Sequence, residues 1–150
     1  MIKELLSETT IEVNFKATSW ESAVRESGEL LKKAGKVNSL YIDEMVKGVK
    51  ELGPYIVISK NIAMPHARPE EGSNGIGVSL ITLKTPINFG NKENDPVKAV
   101  VGFSAKDNKS HIELLSELMQ LFEDEDFHKI INKANSKEEI KKFILEKDFK

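Results

Sequence analysis

The sequence contains no cysteine among its 150 residues, only one tryptophan, and no large excess of either charge. The lack of cysteine excludes disulfides, thiolate metal sites and cysteine nucleophiles. The 22 basic residues are scattered among 24 acidic ones, and the net charge is −2. Because no basic face is evident for a phosphate backbone, we expect no nucleic-acid partner.

Long hydrophobic runs are also missing. Apolar runs such as Ala99–Phe103 are far shorter than a bilayer span, and Met1–Leu6 lacks the apolar region of a signal peptide. We therefore expect a cytoplasmic protein with no direct membrane insertion. A chain of 150 residues with 39% hydrophobic residues suits one domain, and we assign residues 1–150 to it.

The first third of the chain predicts one strand and two helices. Residues 11–15 alternate apolar and polar side chains, as in a strand with one buried face. Thr18 and Glu21 have the spacing of a capping box, which predicts a helix up to Gly35 with Trp20 on its core side. A second helix is predicted from about Asn38 to Gly53.

The rest of the chain predicts strands followed by helices. Strands are expected at residues 55–64, 77–83 and 97–103, with an exposed connection over 87–95 and a solvated turn at 123–126. Two further capping-box spacings, Ser110 with Glu113 and Ser136 with Glu139, predict C-terminal helices. This order indicates an α/β or α+β fold in which helices cover a small sheet.

The segment Pro65–Pro69 carries the first candidate site. It places His66 between an apolar segment and a turn-rich run, where a strand would give way to a loop. The two prolines restrict the backbone, so His66 and Arg68 would share a stiff segment. The alternative is a histidine that is merely satisfied by hydrogen bonds at a strand end.

His111 is the second candidate. It lies in the first turn of the helix predicted near Ser110, on the stripe that also holds Leu114 and Leu118. A helix N-terminus favours an anion such as phosphate, so an imidazole there is a plausible phosphate ligand. The alternative is a partly buried histidine bonded to backbone.

Several other kinds of chemistry are disfavoured by spacing. His66, His111 and His128 lack the close spacing of zinc ligands. No glycine-rich nucleotide loop and no Gly-x-Ser-x-Gly elbow is present. Paired carboxylates stand in charge-rich segments that are typical of solvated faces. We expect no metal and no cofactor.

Four parts of the chain resemble a known family. Gly53–Ile58 and Ala63–Gly72, then Asn94–Val97, and finally His111 with Leu121–Asp124 are similar to the enzyme IIA domains of the bacterial sugar phosphotransferase system. The resemblance is to the mannitol/fructose superfamily, and its ascorbate-specific branch carries the Gly-Pro-Tyr and Pro-His-x-Arg-Pro-Glu-Glu-Gly patterns found here. It implies that family's mixed sheet flanked by helices.

One position departs from the mannitol and fructose branches. Those branches usually place an arginine on the helix before the active strand, whereas the matching position here is Gly48, with Lys47 and Lys50 nearby. Arg68 is the natural substitute, because alternation along an extended segment suggests that it points to the same side as His66. The alternative for Arg68 is a surface ion pair with Glu70 or Glu71.

The resemblance implies a phosphotransferase. His66 would accept a phosphoryl group from the phosphocarrier protein HPr and pass it to an enzyme IIB, with His111 and Arg68 stabilising the phosphoryl oxygens. The sugar would be ascorbate or a related sugar acid. The partners would dock on a surface for which Met64, Ile87 and Phe89 are candidates, with the alternative that each is core.

Other readings stay open at this point. A regulatory module of the nitrogen-related type would keep the fold and the histidine but act through phosphorylation-dependent partner binding. A fructose, mannitol or galactitol class of enzyme IIA is a further alternative. A passive binding domain would require His66 and His111 to be inert.

Overall fold

Four strands form one mixed sheet in the order β1-β3-β4-β2. They are β1 (Ile11–Phe15), β2 (Ile62–Ala63), β3 (Gly77–Ile87) and β4 (Val97–Ser104). β3 and β4 are antiparallel, while β1 pairs with β3 and β2 pairs with β4 in parallel. The computed structural model describes residues 1–150. The predicted class, a small mixed sheet flanked by helices, is confirmed.

Six helices cover the two faces of this sheet. Side chains alternate along β3 and β4, so Leu80 and Val101 pack on one face and Ile81 and Val100 on the other. The first face is covered by α1, α4, α5 and α6, and the second by α2 and α3. None of these helices has the length and apolar character to cross a membrane. The helices are α1 (Ile2–Leu5), α2 (Trp20–Lys33), α3 (Ser39–Leu52), α4 (Asn108–Phe122), α5 (Glu125–Lys133) and α6 (Lys137–Glu146).

Two predicted helix starts are wrong. The cap of α2 is Ser19, whose hydroxyl accepts a hydrogen bond from the Ser22 N–H, so Thr18 lies outside the helix. The cap of α4 is Asp107, and Ser110 is the third helical residue, which closes the capping box from the other side. In both capping boxes the third helical residue is a serine, whose hydroxyl accepts the hydrogen bond from the cap N–H that a glutamate was expected to accept. The predicted cap at Ser136 is confirmed.

The expected strand over residues 55–64 shrinks to Ile62–Ala63. Ile56 and Val57 are buried, as their apolar character predicted, but Ile56 lies in a turn and Val57 directly follows it, outside any strand. The Val57 carbonyl accepts hydrogen bonds from the side-chain amides of Asn91 and Asn94. Those amides satisfy the backbone in place of a neighbouring strand, so burial here does not require a ladder.

Two segments predicted as exposed are more ordered than expected. β3 continues to Ile87, and Phe89 is only 6% exposed, with its ring 6.2 Å from the partly buried Trp20. The predicted turn at 123–126 contains the start of α5, a helix that the sequence pattern did not predict.

Candidate functional site

His66 is held beside the end of β4 by backbone hydrogen bonds. The Met64 N–H donates to the Ile56 carbonyl at 2.8 Å, and the Phe103 N–H donates to the Pro65 carbonyl at 3.3 Å. The second of these bonds extends the contact with β4 beyond Ala63, the last residue of β2. The two residues that precede His66 are therefore fixed to the rest of the fold.

The imidazole of His66 is oriented by two contacts. Its ring stacks on Phe103, with centroids 4.8 Å apart and planes 29° apart. Its Nδ1 lies 2.9 Å from the Met64 carbonyl oxygen, which can only accept, so Nδ1 carries the proton. Nε2 is left with a free lone pair.

Electrostatics keep this ring neutral. Burial lowers the pKa of His66 below its usual value, and the nearby His111 lowers it further, while the hydrogen bond to the Met64 carbonyl opposes both effects. A neutral ring with an unprotonated Nε2 is the form that can act as a nucleophile.

His111 faces the same place from α4. Its ring lies 6.2 Å from the His66 ring and 5.2 Å from the Phe103 ring, in each case measured between centroids. Because α4 begins at Asn108, His111 stands in its first turn, as predicted. The two histidines are thus brought together from positions 45 residues apart in the sequence.

Two cavities flank His66, and Arg68 lines both of them, together with Tyr55 and Ala67. His66 and Arg68 therefore do share a side, as alternation suggested. Arg68 is exposed and takes part in none of the ion pairs of the chain. The surface ion pair with Glu70 or Glu71 is therefore not formed.

The two cavities differ in what surrounds the shared residues. The one toward α4 has a volume of about 300 Å³ and is completed by Pro69, Asn108 and His111. The one toward α3 has about 260 Å³ and is completed by Glu44, Lys47, Gly48, Glu51, Leu52 and Glu71. The first has an imidazole and a helix N-terminus at its wall, whereas the second has mixed charges.

Tyr41 anchors the segment after His66. Its buried hydroxyl accepts a hydrogen bond from the Ala67 N–H at 3.0 Å and donates to the Phe103 carbonyl at 2.8 Å. Burial raises the pKa of Tyr41 to about 12, so the hydroxyl stays protonated and keeps donating. α3, β4 and the site segment are joined through this one group.

Sequence reasoning missed two residues that line the α4 cavity. Tyr55 was noted only as part of a Gly-Pro-Tyr pattern, and Asn108 was not singled out. A usable signal existed for Tyr55, because Gly53 and Pro54 end α3 and turn the chain back toward its last turns. Asn108 would have been found by placing the cap of α4 at Asp107 instead of Ser110, because Asn108 is then the first residue of the helix.

The third histidine lies elsewhere. His128 Nε2 is 2.6 Å from the Phe122 carbonyl oxygen, at the junction of α4 and α5. The chain has no group of three or more histidine, aspartate or glutamate side chains placed to hold a metal ion.

The predicted docking candidates do not form a surface. Met64 and Phe89 are 4% and 6% exposed and belong to the two cores, so their assignment was wrong, and Ile87 packs partly against one core. The exposed apolar side chains near the histidines are Leu52, 73% exposed, and Ile112, 67% exposed.

Comparison with known proteins gives a consistent result. The family model described as "Phosphoenolpyruvate-dependent sugar phosphotransferase system, EIIA 2" matches residues 4–147. The chain is 39% identical over 122 residues to the "Ascorbate-specific PTS system EIIA component" of Salmonella choleraesuis, covering 81% of this chain and 79% of that protein.

Two solved structures have the same architecture. The mannitol-specific cryptic phosphotransferase enzyme IIA CmtB of Escherichia coli aligns with a TM-score of 0.86 at 30% identity, over 95% of this chain and 97% of that one. Enzyme IIA of the Escherichia coli mannitol system, solved in a complex with phosphorylated enzyme IIB, aligns with a TM-score of 0.82 at 26% identity, over 95% and 98%.

Proposed function

This chain belongs to the EIIA 2 family of the phosphoenolpyruvate-dependent sugar phosphotransferase system, and we propose that it relays a phosphoryl group from HPr to an enzyme IIB through His66. The observation that carries the proposal is the state of the His66 ring. Its Nδ1 donates to the Met64 carbonyl and its Nε2 has no partner in the protein, while the side chain lines one cavity together with Arg68 and His111.

Each transfer exchanges one bond for another. The Nε2 lone pair of His66 attacks phosphorus while the bond from phosphorus to the donor's histidine nitrogen breaks, and that bond's electron pair returns to the donor. In the second transfer, the nucleophile of enzyme IIB attacks, and the pair returns to Nε2. Nδ1 keeps its proton throughout, and no oxidant, metal or nucleotide enters the balance.

The protein's task in such a transfer is alignment and charge stabilisation. A loose transition state spreads negative charge over three equatorial oxygens, which hydrogen-bond donors and cations stabilise. His111 and Arg68 supply both kinds of group, and both line the α4 cavity together with His66. The stack on Phe103 and the Met64 bond hold the nucleophile, so little reorganisation is needed.

The exposed apolar side chains near the site fit a transient partner surface. Leu52 lines the α3 cavity, and Ile112 follows His111 directly. A relay protein must release each partner after transfer, which favours a small interface of less than about 1,200 Å². Support for enzyme IIB as one partner comes from the mannitol-system relative that was solved with phosphorylated IIB. The proposed place of action is the cytoplasm.

Ascorbate or a related sugar acid is the proposed transported sugar, because curated relatives at 36 to 39% identity are named ascorbate-specific components. The regulatory alternative has weaker support. A nitrogen regulatory IIA from Neisseria meningitidis aligns at 21% identity, which shows a common fold only.

The test is phosphorylation with purified components. The chain is incubated with phosphoenolpyruvate, enzyme I and HPr, and its mass is measured before and after mild acid. We expect one added acid-labile phosphoryl group, which is then lost when an ascorbate-type enzyme IIB is added. A chain that takes no phosphoryl group contradicts the relay, and a labelled chain that no enzyme IIB discharges favours the regulatory alternative.

A further inference from the structure

Gly48 lies next to the Tyr55 hydroxyl near the end of α3, where a larger side chain would be crowded. A Cβ atom placed on Gly48 would stand 3.2 Å from the Tyr55 hydroxyl oxygen, closer than side chains normally approach. Glycine inside a helix costs about 1 kcal/mol relative to alanine. The missing side chain at position 48 leaves room for the phenol to lie against the helix.

The phenol also borders the reacting histidine. Tyr55 lines both cavities that flank His66, and the two rings meet edge-on with centroids 6.1 Å apart and planes 79° apart. Arg68 lines the same two cavities. Tyr55 and Arg68 are therefore the two side chains that accompany His66 in both cavities.

The two tyrosines of the chain differ in the state of their hydroxyls. Tyr41 uses its hydroxyl in hydrogen bonds to Ala67 and Phe103. The hydroxyl of Tyr55 has no hydrogen-bond partner in the protein, and the side chain is exposed, at 42%. A hydroxyl that makes no hydrogen bond within the fold, on a side chain that lines the same cavities as His66 and Arg68, is free to donate to a ligand.

We propose that the Tyr55 hydroxyl is a further catalytic group, which donates a hydrogen bond to the phosphoryl group during its transfer to and from His66, from a position that Gly48 makes available. This inference rests on the proposed relay. The hydroxyl stabilises charge without exchanging its own proton, so the bond balance of the transfer is unchanged. Burial raises the pKa of Tyr55 above its usual value, which keeps the donor protonated at neutral pH.

The first test is Tyr55→Phe, which removes only the hydroxyl. Single-turnover transfer from phosphorylated HPr is measured at increasing donor concentration. We expect the maximal rate to fall roughly ten- to a hundredfold, because one preorganised donor is lost. The half-saturating concentration of phosphorylated HPr should be nearly unchanged. The melting temperature should stay the same, since the hydroxyl has no partner in the fold. A maximal rate within about twofold of wild type overturns the inference.

The second test places Gly48→Ala in the wild-type chain and in the Tyr55→Phe variant. In Gly48→Ala, the added methyl group meets the Tyr55 hydroxyl and displaces it, so transfer should slow. In the double variant with Tyr55→Phe, the same alanine should have little further effect, because the hydroxyl is already absent. If Gly48→Ala slows transfer equally in both backgrounds, position 48 does not act through the hydroxyl and that part of the inference is wrong.

The outcomes separate this inference from the relay itself. If the wild-type chain accepts no phosphoryl group, the relay fails, and the role of Tyr55 fails with it. If the wild-type chain is labelled on His66 and Tyr55→Phe is labelled as fast, only the role of Tyr55 is overturned.

Discussion

His66 and His128 make the same kind of hydrogen bond, but only His66 lines a cavity. Each ring uses one nitrogen on a backbone carbonyl, Nδ1 of His66 on Met64 and Nε2 of His128 on Phe122. The second nitrogen of His66 has no hydrogen-bond partner, and the side chain lines two cavities together with Arg68 and Tyr55. His128 lines neither cavity, and its ring packs edge-on to Phe127, 6.3 Å away between centroids.

This difference shows what makes a histidine reactive in this fold. A carbonyl partner alone fixes a tautomer, and it serves a structural junction as well as a nucleophile. Function depends on what surrounds the remaining nitrogen, which is set by other elements. At His66 these are α3, α4 and β4, whereas at His128 the carbonyl belongs to the end of the preceding helix.

The strongest test of the comparison is His66→Ala. We expect complete loss of the acid-labile phosphoryl group, because this ring is the only proposed nucleophile. The fold should remain, as judged by circular dichroism and thermal melting, and His128→Ala serves as the matched control. Acid-labile label retained on His66→Ala would transfer the nucleophile's role to another residue.

His111→Ala should give the next largest effect. Removing one preorganised group beside a developing charge slows transfer by roughly ten- to a thousandfold. The rate is measured as single-turnover labelling by phosphorylated HPr. A rate within about twofold of wild type would return His111 to a structural role, like that of His128.

Arg68 should follow, with a graded response. Arg68→Ala should slow transfer by roughly tenfold, and Arg68→Lys should recover only part of that loss, because lysine keeps the charge but lacks the planar fork that binds two oxygens. Full activity of the lysine variant would mean that a point charge suffices. If the alanine variant is also fully active, Lys47 in the α3 cavity is the next residue to test.

The titration of His66 gives a smaller but direct check. Burial lowers its pKa, so we expect its imidazole signals in an NMR titration to change below the ordinary histidine value of about 6.5. The neutral, nucleophilic ring then persists to lower pH. In His111→Ala the midpoint should move upward, because the nearby imidazole is one cause of the shift. A wild-type midpoint above the ordinary value would contradict the burial argument.

The smallest effect on transfer is expected for His128→Ala. The variant loses the bond to the Phe122 carbonyl, which should lower the free energy of unfolding by about 1 kcal/mol in a urea titration. Its transfer rate should stay within about twofold of wild type. A large loss of transfer in a folded variant would show that the two histidines are not separate in function.

The sequence predicted the parts of the site that depend on local pattern. His66 and Arg68 stand on a proline-bounded segment, and His111 stands in the first turn of a helix, as expected. The helices α2, α3, α4 and α6 and the strands β3 and β4 were also predicted from periodicity, whereas α1 and α5 were not. The α3 side of the site was not, because the Gly48–Tyr55 contact forms only when the chain turns back after α3.

The false strand over 55–64 has a related cause. Apolar runs report burial, but burial alone does not choose between a ladder and a turn. Here the amides of Asn91 and Asn94 satisfy the Val57 carbonyl from a distant loop. The same limit explains why Met64 and Phe89 were candidates for a docking surface although both are core residues.

The exposure of Arg68 has a consequence for the lifetime of the phosphorylated chain. In the free chain, water competes for this guanidinium, and an exposed charge pair contributes only about 0 to 1 kcal/mol. When a partner docks and removes that water, the same cation acts more strongly on the charge of the transferring group. We therefore expect spontaneous hydrolysis to stay slow between encounters, so the phosphoryl group waits on His66 until a cognate acceptor excludes the solvent.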